Sequence, residues 1–409
     1  MHGIIINDLF LAKKTPRKYG ITDNCTNKNV CLITFLFSIP TKVLLLPPQF
    51  HNASDILKTE YTIRINSHID RLQWTQLVQT SPTGSWFQTP DAYDFFASLP
   101  HLFLPFAVAL YACSENQKDT LRAVCVGFVT MDRNSLMQFF TRRAIINGGP
   151  ALANDCTDEE VVLLMQAVRN HFSPSAFSSS LARSPIYIET RNFNDFGRWK
   201  TAFEKAAFQY MPHLNFHVDC ADSDTVWNNL SENRRRQIRK AQKNGVQIVE
   251  PHSEQEIADW YHILHDLYRT KVKTPLFPVE FFHQFYRLQV GLFLFVKYEG
   301  NVVGGIMCPI WEDKCIYEWY VCGNEAAYRH LNPSVMATYA AMQYGSSHDL
   351  RRFDLMGAGK PDEPYGVRDF KSEFGGQLVE QGRFLYISHP LLYKIGTLGV
   401  KLLKKKKIF

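Results

Sequence analysis

The strongest constraint on the fold is a rhythm that the chain runs through twice. In the first half, "PFAVALYAC" and "RAVCVGFVTM" read as a pair of long apolar strands joined by the polar stretch "SENQKDT". In the second half, "LFLFVKYEG" and "NVVGGIMCPIW" do the same, and "CIYEWYVCG" adds a further strand. Amphipathic helices flank each meander. "IDRLQWTQLVQ" places Ile69, Leu72, Trp74 and Leu77 on one broad face, and "DEEVVLLMQAVRNHF" follows Thr157 as its N-cap. "EQEIADWYHILHDLYRTK", "PVEFFHQFYRLQ" and "PSVMATYAAMQYGSS" serve the second half. Strands that must bury an apolar face against helices make mixed layers, and 409 residues exceed one ordinary core. The expectation is an α/β (α+β) protein of two domains, over residues 59–215 and 216–390. Residues 1–58 sustain no hydrophobic period and read as a poorly defined extension, and residues 391–409 form a basic tail.

Bulk properties exclude several classes. A hydrophobic content of 45% rules out general disorder. The net charge of +6 favours an anionic partner only where the charge is clustered. Nine cysteines include no C-x-x-C pair, so reduced and mostly buried thiols are expected. His262 and His265 lie three apart on a helix without a carboxylate pair, and no metal is expected. Pro40, Lys42, Pro47 and Pro48 interrupt the longest apolar run, "VCLITFLFSIPTKVLLLPP", below the ~18 residues a membrane span needs. No small-residue cleavage site follows it cleanly. The expected location is cytoplasmic.

Near the end lies "RRFDLMGAGKPDEPYGVRDFKSEFGG". A nucleotide P-loop would need glycine where Asp354 stands and Ser or Thr where Pro361 stands. The glycines do not open a helix directly, which excludes a dinucleotide fingerprint. What remains is a strand, a Gly-rich loop and a short helix ended by Gly375 and Gly376. Val367, Phe370 and Phe374 fall on one apolar face, with Lys371 off that face beside Arg368. By spacing alone Lys371 is either an anion ligand near exposed backbone N–H groups or a solvated face charge.

A second basic element is "ENRRRQIRKAQKNG". Leu230, Ile238 and Ala241 take its buried side, Ser231 caps it, and Asn244-Gly245 ends it. Arg235 and Arg239 form one column at i, i+4, which repels itself unless an anion neutralises it. The column fits phosphate binding or a plain solvated helix.

Together these segments resemble the Fem family of peptidyl aminoacyl transferases. The resemblance rests on Leu230–Val246, on Asn332-Pro333 and the helix after it, and on Gly357–Gly376 with its "YGVRDFKSEFGG". "FQTP" at Phe87–Pro90 and "GGP" at Gly148–Pro150 resemble landmarks of the family's first domain. The resemblance implies two packed acetyltransferase-like (GNAT) domains. It implies transfer of an amino acid from aminoacyl-tRNA to an amine on a lipid-linked or nucleotide-linked peptidoglycan precursor, with no bound cofactor. It makes Lys371 the catalytic residue, makes Arg235, Arg239 and Lys371 contacts for the precursor's phosphates, and puts Gly357, Gly359, Tyr365 and Phe370 at the substrate cleft. Two departures stand out. The acids after the first-domain Gly-Pro, Asp155 and Asp158, come late for a general base, and no heptad run provides a coiled-coil arm.

Two rival readings share these features. One is an acyl-CoA-dependent N-acyltransferase for an amino sugar or amino acid, although "YRHLNPSVMATY" lacks the paired glycines of a pyrophosphate loop. The other is a non-catalytic binder of tRNA or anionic lipid head groups.

The tail "HPLLYKIGTLGVKLLKKKKIF" places Leu391, Ile395, Leu398 and Leu402 at helical spacing, with Lys394, Lys401 and Lys405 on the other side. Such a helix either docks on its own protein or lies on an anionic membrane, where each lysine contributes roughly 1 kcal/mol. The expected outcome of vesicle co-sedimentation is salt-sensitive binding that requires anionic lipid and is absent from a form ending at His389. Equal sedimentation of both forms, or of neither, would refute membrane contact.

Overall fold

The protein is seen here as a computed structural model that describes residues 60–115, 117–131, 141–173 and 184–405, with side chains of the last helix as far as Thr397. The extension over residues 1–58 lies outside the described residues.

Two eight-stranded sheets form the frame. The first runs in the order β1 (Tyr61–Ile65), β2 (Phe103–Ala112), β3 (Thr120–Thr130), β4 (Ala144–Gly148), β6 (Tyr187–Asn192), β16 (Arg383–Ile387), β7 (Gln209–Met211), with β5 (Ala151–Leu152) on β3. The second runs β15 (Gln377–Glu380), β8 (Leu214–Asp219), β14 (Arg352–Asp354), β12 (Cys315–Tyr317), β11 (Asn301–Trp311), β10 (Gly291–Tyr298), β9 (Gln247–Val249), with β13 (Tyr320–Gly323) also on β11. Each sheet has one parallel pair, β4 with β6 and β12 with β14, among antiparallel neighbours.

Side chains alternate across these strands as the period of two demands. On β2, Phe106, Val108 and Leu110 pack with Val161, Leu164 and Val168 of the helix Asp158–His171. Ala107, Ala109 and Tyr111 face the other way, into a core shared with the second half. There Trp319 meets Phe87, Phe95, Phe96 and Phe281 with ring centroids 5.1, 6.3, 6.2 and 5.2 Å away. Aromatic edges and faces from both halves interlock, which ties the two sheets into one body. The helices Glu232–Lys243 and Pro333–Ser347 cover the far face of the second sheet, where Leu230, Ile238 and Ala241 are buried as expected. In the "FQTP" stretch, Gln88 bridges the point where β3 and β4 part. Its amide donates to the carbonyls of Val126 and Asn147 at 2.9 and 2.8 Å and accepts from Val126 N–H at 2.8 Å.

The structure departs from the sequence reading in places. Leu72 is 67% exposed, because Trp74, Leu77 and Val78 already fill the buried face of Arg71–Thr80. "INGGPALAND" contributes the end of β4 and the whole of β5. The stretch "DFGRWKTAFEKAAFQYMP" is helical only over Lys200–Lys205, after a short 3-10 turn, and ends in β7. Around the helix Gly366–Ser372, Phe374 is buried and Phe370 packs on the core as expected, but Val367 is 38% exposed and Lys371 is buried. Strand β16, inside the stretch assigned to the second domain, pairs with β6 and β7 of the first sheet. Antiparallel pairing across the sheet, invisible in local pattern, captures it.

The chain therefore passes between the sheets twice, each time in two residues. Pro212 and His213 lead from β7 to β8, and Gln381 and Gly382 lead from β15 to β16. The two crossings are bonded to each other, Gly382 N–H donating to the His213 carbonyl at 3.1 Å. Gly382 has φ of +65°, and a Cβ there would lie 2.2 Å from the Tyr210 ring. Gly382→Ala is expected to lower stability by more than about 1 kcal/mol in urea unfolding, from the left-handed backbone and the blocked approach together. An unchanged unfolding midpoint would contradict the close approach.

Candidate active site

The second sheet opens where its parallel pair ends. Glu318 N–H donates to Asp354 O at 2.9 Å, the last backbone bond between those strands. Beyond it, β13 stays with β11, while the segment after Asp354 turns towards β8, with Leu355 N–H bonded to Phe216 O and Ala358 N–H to Leu214 O. The divergence opens a cavity of about 670 Å³ walled by both sheets. That volume suits a small ligand or the reactive end of a large one.

Lys371 closes the root of the divergence. Its ammonium donates to the carbonyls of Leu355 and Gly357, the latter at 3.1 Å, and pairs with Glu318 Oε1 at 3.2 Å. Three partners occupy all three N–H donors of a lysine. The far oxygen of Glu318 accepts from Thr338 Oγ1 at 3.0 Å. Burial pushes the Glu318 carboxyl above the usual carboxylate range, against the pull of Lys371.

The elements around this pair fix it in place. Arg234 is the buried arginine of the basic helix. It donates to Phe370 O at 3.0 Å, and its guanidinium lies 4.4 and 4.9 Å from the ring centroids of Phe370 and Phe374. The helix that carries Lys371 is thereby clamped onto the helix Glu232–Lys243. Asn215 holds the loop on the other side: its Oδ1 accepts from Gly357 N–H at 2.7 Å while its amide donates to Asp354 Oδ1 at 2.8 Å. Asp354 Oδ1 also receives Met356 N–H at 2.8 Å. Gly375 has φ of +78°, the left-handed helix end that the sequence pattern requires.

The double crossing supplies a second cluster. His213 and Arg383 line the cavity, and Arg383 donates one nitrogen to His213 Nε2 at 2.9 Å and another to the buried Glu189 carboxylate at 2.5 Å. Burial, then the neighbouring guanidinium, pulls the His213 pKa down to about 3, so the ring is a neutral acceptor. A Cβ on Gly357 would sit 3.5 Å from His213 Nε2, so the two clusters meet at Gly357.

Of the residues singled out from sequence, Gly357, Tyr365, Phe370 and Lys371 line the cavity. Gly359 lies behind Tyr365, where a Cβ would meet the ring at 2.8 Å. Arg235 and Arg239 do not line the cavity. Arg235 donates to Asn228 O at 3.0 Å, and Arg239 lies over the Trp227 ring at 5.1 Å, on the outer side of their helix. Asp155 is 79% exposed and pairs with Arg122, and Asp158 opens a helix; neither lines the cavity. Sequence reasoning passed over Glu318, His213, Arg191 and Arg383. For Glu318 there was a signal, an acid embedded in the aromatic strand "YEWY". Among the described residues no group of His, Cys, Asp and Glu could hold a metal ion. The seven described cysteines are free, and six of them are buried.

Residues 228–372 match the family model described as an acetyltransferase (GNAT) domain. A crystal structure of FemX superposes with a TM-score of 0.59 at 13% identity, covering 82% of this chain and 99% of that one. The C-terminal domain of a putative lysylphosphatidylglycerol synthetase from Agrobacterium fabrum gives 0.49 at 12% identity, with 81% and 96% covered. A tandem GNAT protein from the clavulanic acid biosynthesis pathway gives 0.47 at 10%, with 80% and 98% covered. No curated protein sequence matches. The fold is a FemX-like pair of packed GNAT-type domains, and among the described residues no coiled-coil arm extends from it.

His213 should make stability depend on pH. Its pKa of about 3 in the folded protein lies below the ordinary ~6.5 of an unfolded histidine, so the unfolded chain alone binds the proton between those values. The contribution is complete above ~6.5 and is lost as pH falls from there towards about 3. His213→Gln keeps an acceptor for Arg383 and removes the titration. Its unfolding free energy should fall less steeply between pH 6 and 4, by up to ~1.4 kcal/mol per pH unit. Parallel pH profiles for both proteins would place His213 in a less buried setting.

Proposed function

We propose that this protein is an acyltransferase that moves an aminoacyl group from aminoacyl-tRNA to an amine on the stem peptide of a lipid-linked or nucleotide-linked peptidoglycan precursor. The observation that carries the reading is the buried Lys371–Glu318 pair at the root of a cavity walled by both sheets. The GNAT family match over residues 228–372 and the FemX-like fold support acyl transfer in general, and the Fem-like motifs that converge on Lys371 support the aminoacyl version.

The donor ester is already activated, so the protein must position and stabilise rather than supply a nucleophile. The amine nitrogen forms an amide bond to the ester carbonyl carbon. The ester C–O bond breaks, tRNA leaves with its hydroxyl, and the proton shed by the amine ends on that oxygen. In this reading Glu318 takes the proton first, since burial already favours its neutral form. A neutral Glu318 releases one Lys371 donor towards the tetrahedral oxyanion. Proton transfer and oxyanion stabilisation are thereby coupled through one ion pair. Arg235 and Arg239 are proposed as contacts for precursor phosphates on the outer face, away from the reacting atoms.

One contact weighs against acyl-CoA as donor. Glu325 Oε1 accepts from Ser334 N–H at 3.1 Å, which puts a carboxylate on the N-terminus of Pro333–Ser347, where a pyrophosphate would be bound. Peripheral membrane attachment through the tail fits a lipid-linked acceptor. Leu391 and Ile395 on Pro390–Lys405 are 71% and 49% exposed, while Leu392 and Tyr393 pack on the core. No helix among the described residues is long and apolar enough to cross a membrane.

The test incubates the protein with charged tRNA or acyl-CoA and with precursor, and weighs the products by mass spectrometry. Lys371→Met should lower transfer by a factor on the order of 10²–10³. It should also destabilise by roughly 3–5 kcal/mol, because Glu318 is left buried without its partner. Lys371→Met combined with Glu318→Gln should recover most of that stability and stay inactive. Wild-type transfer by the double variant would refute the site, and product from acyl-CoA alone would refute the donor.

A further inference from the structure

The part of the cavity wall that the first sheet supplies carries more positive than negative charge. Glu189, 4% exposed, is shared by two guanidiniums: Arg383 at 2.5 Å and, more loosely, Arg191 Nε at 3.4 Å. Burial opposes the charge on Glu189, yet Arg191, Arg383 and Arg143 together hold its carboxyl below the usual range, so it is ionised. One carboxylate is thus divided between the two arginines that line the cavity. Arg383 spends its terminal nitrogens on Glu189 and His213, and its Nε is buried without a partner. Arg191 touches Glu189 only through Nε. Its terminal nitrogens, the fork that binds an oxyanion in bidentate fashion, have no partner among the described residues.

The rest of the cavity does not neutralise this surplus. The two acids in its lining are committed, Glu318 to Lys371 and Glu325 to the backbone of Ser334. Lys271 adds a further cation to the lining and has no partner among the described residues. His213, neutral, contributes no charge. A partly buried guanidinium that shares its counter-ion has an incentive to take an external one.

We infer that Arg191, backed by Arg383, anchors an oxyanion subsite that receives a carboxylate or phosphoryl group of a substrate. The subsite lies on the first sheet, whereas Lys371 and Glu318 belong to the second, so a ligand held by Arg191 reaches the reacting pair across the junction. This deepens the transferase reading by assigning an anionic group to the substrate portion inside the cavity. Arg191 is a specificity residue in that reading, since it grips the substrate away from the bond that changes.

The test is isothermal titration of the full chain with inorganic pyrophosphate and, separately, with glutarate, in the absence of donor and acceptor. The wild type should bind at least one probe, and Arg191→Gln should weaken that binding at least tenfold with an unchanged thermal unfolding midpoint. Arg71→Ala, which removes an exposed arginine outside the cavity, serves as the control and should leave the affinity as it is. Binding of pyrophosphate alone identifies a phosphoryl group, and binding of glutarate alone identifies a carboxylate. Failure of the wild type to bind either probe, or an equal affinity for Arg191→Gln, would overturn the subsite. The titration involves no transfer step, so a protein that binds through Arg191 but transfers nothing would keep the subsite and lose the proposed function. If transfer is observed, Arg191→Gln should raise the acceptor KM about tenfold or more and change kcat little.

Discussion

Everything in the site depends on the chain crossing between its two sheets twice within two residues each time. A crossing that short leaves no slack, so backbone polar groups must find partners in place. The bond from Gly382 N–H to the His213 carbonyl meets that demand for one of them. It also fixes where β16 enters the first sheet, next to β6, and where β8 enters the second. The side chains carried by the crossings and their neighbours, His213 and Arg383, are delivered to the cavity as a consequence. The aromatic cluster around Trp319 packs the halves together, and the crossings set the register of the strands.

The charges near the cavity fall into two roles. Arg234 is bonded to a backbone carbonyl, stacked on two phenylalanines and 3.7 Å from Glu373, and it fixes the orientation of the Lys371 helix. Its neighbours Arg235 and Arg239 point away, and their mutual repulsion is relieved by a carbonyl and by an indole face. Lys371 combines both roles. It satisfies two carbonyls that the diverging strands leave without ladder partners, and it balances a carboxylate buried with it. A lysine that holds the divergence closed at its root is held still by the same bonds, which places its charge with little freedom at the edge of the cavity.

Much of this architecture was legible in the sequence. Strand and helix positions follow from periodicity, and caps such as Thr157 and Ser231 sit where the residue types put them. Leu230, Ile238 and Ala241 were identifiable as buried from spacing alone. Val367 and Lys371 of the Gly366–Ser372 helix were misjudged for a definite reason. Apolar spacing ranked Val367 above Lys371, but two orphan carbonyls and Glu318 outweigh the cost of burying an ammonium. Leu72 was misjudged because three neighbours already saturate the buried stripe.

The sequence by itself determined the doubled α/β layering, the Gly-rich element with Lys371 at its centre and the basic helix before it, because each is written in local pattern: period, cap, turn residue, charge run. Tertiary structure decided what those elements touch. It placed β16 in the first sheet, set Glu318 against Lys371, turned Arg234 inward in place of Arg235, and joined Arg191, Arg383, Glu189 and His213 into one cluster. Strand pairing and ion pairing connect residues that are distant in sequence, and nothing in a residue's own neighbourhood records which remote partner will reach it.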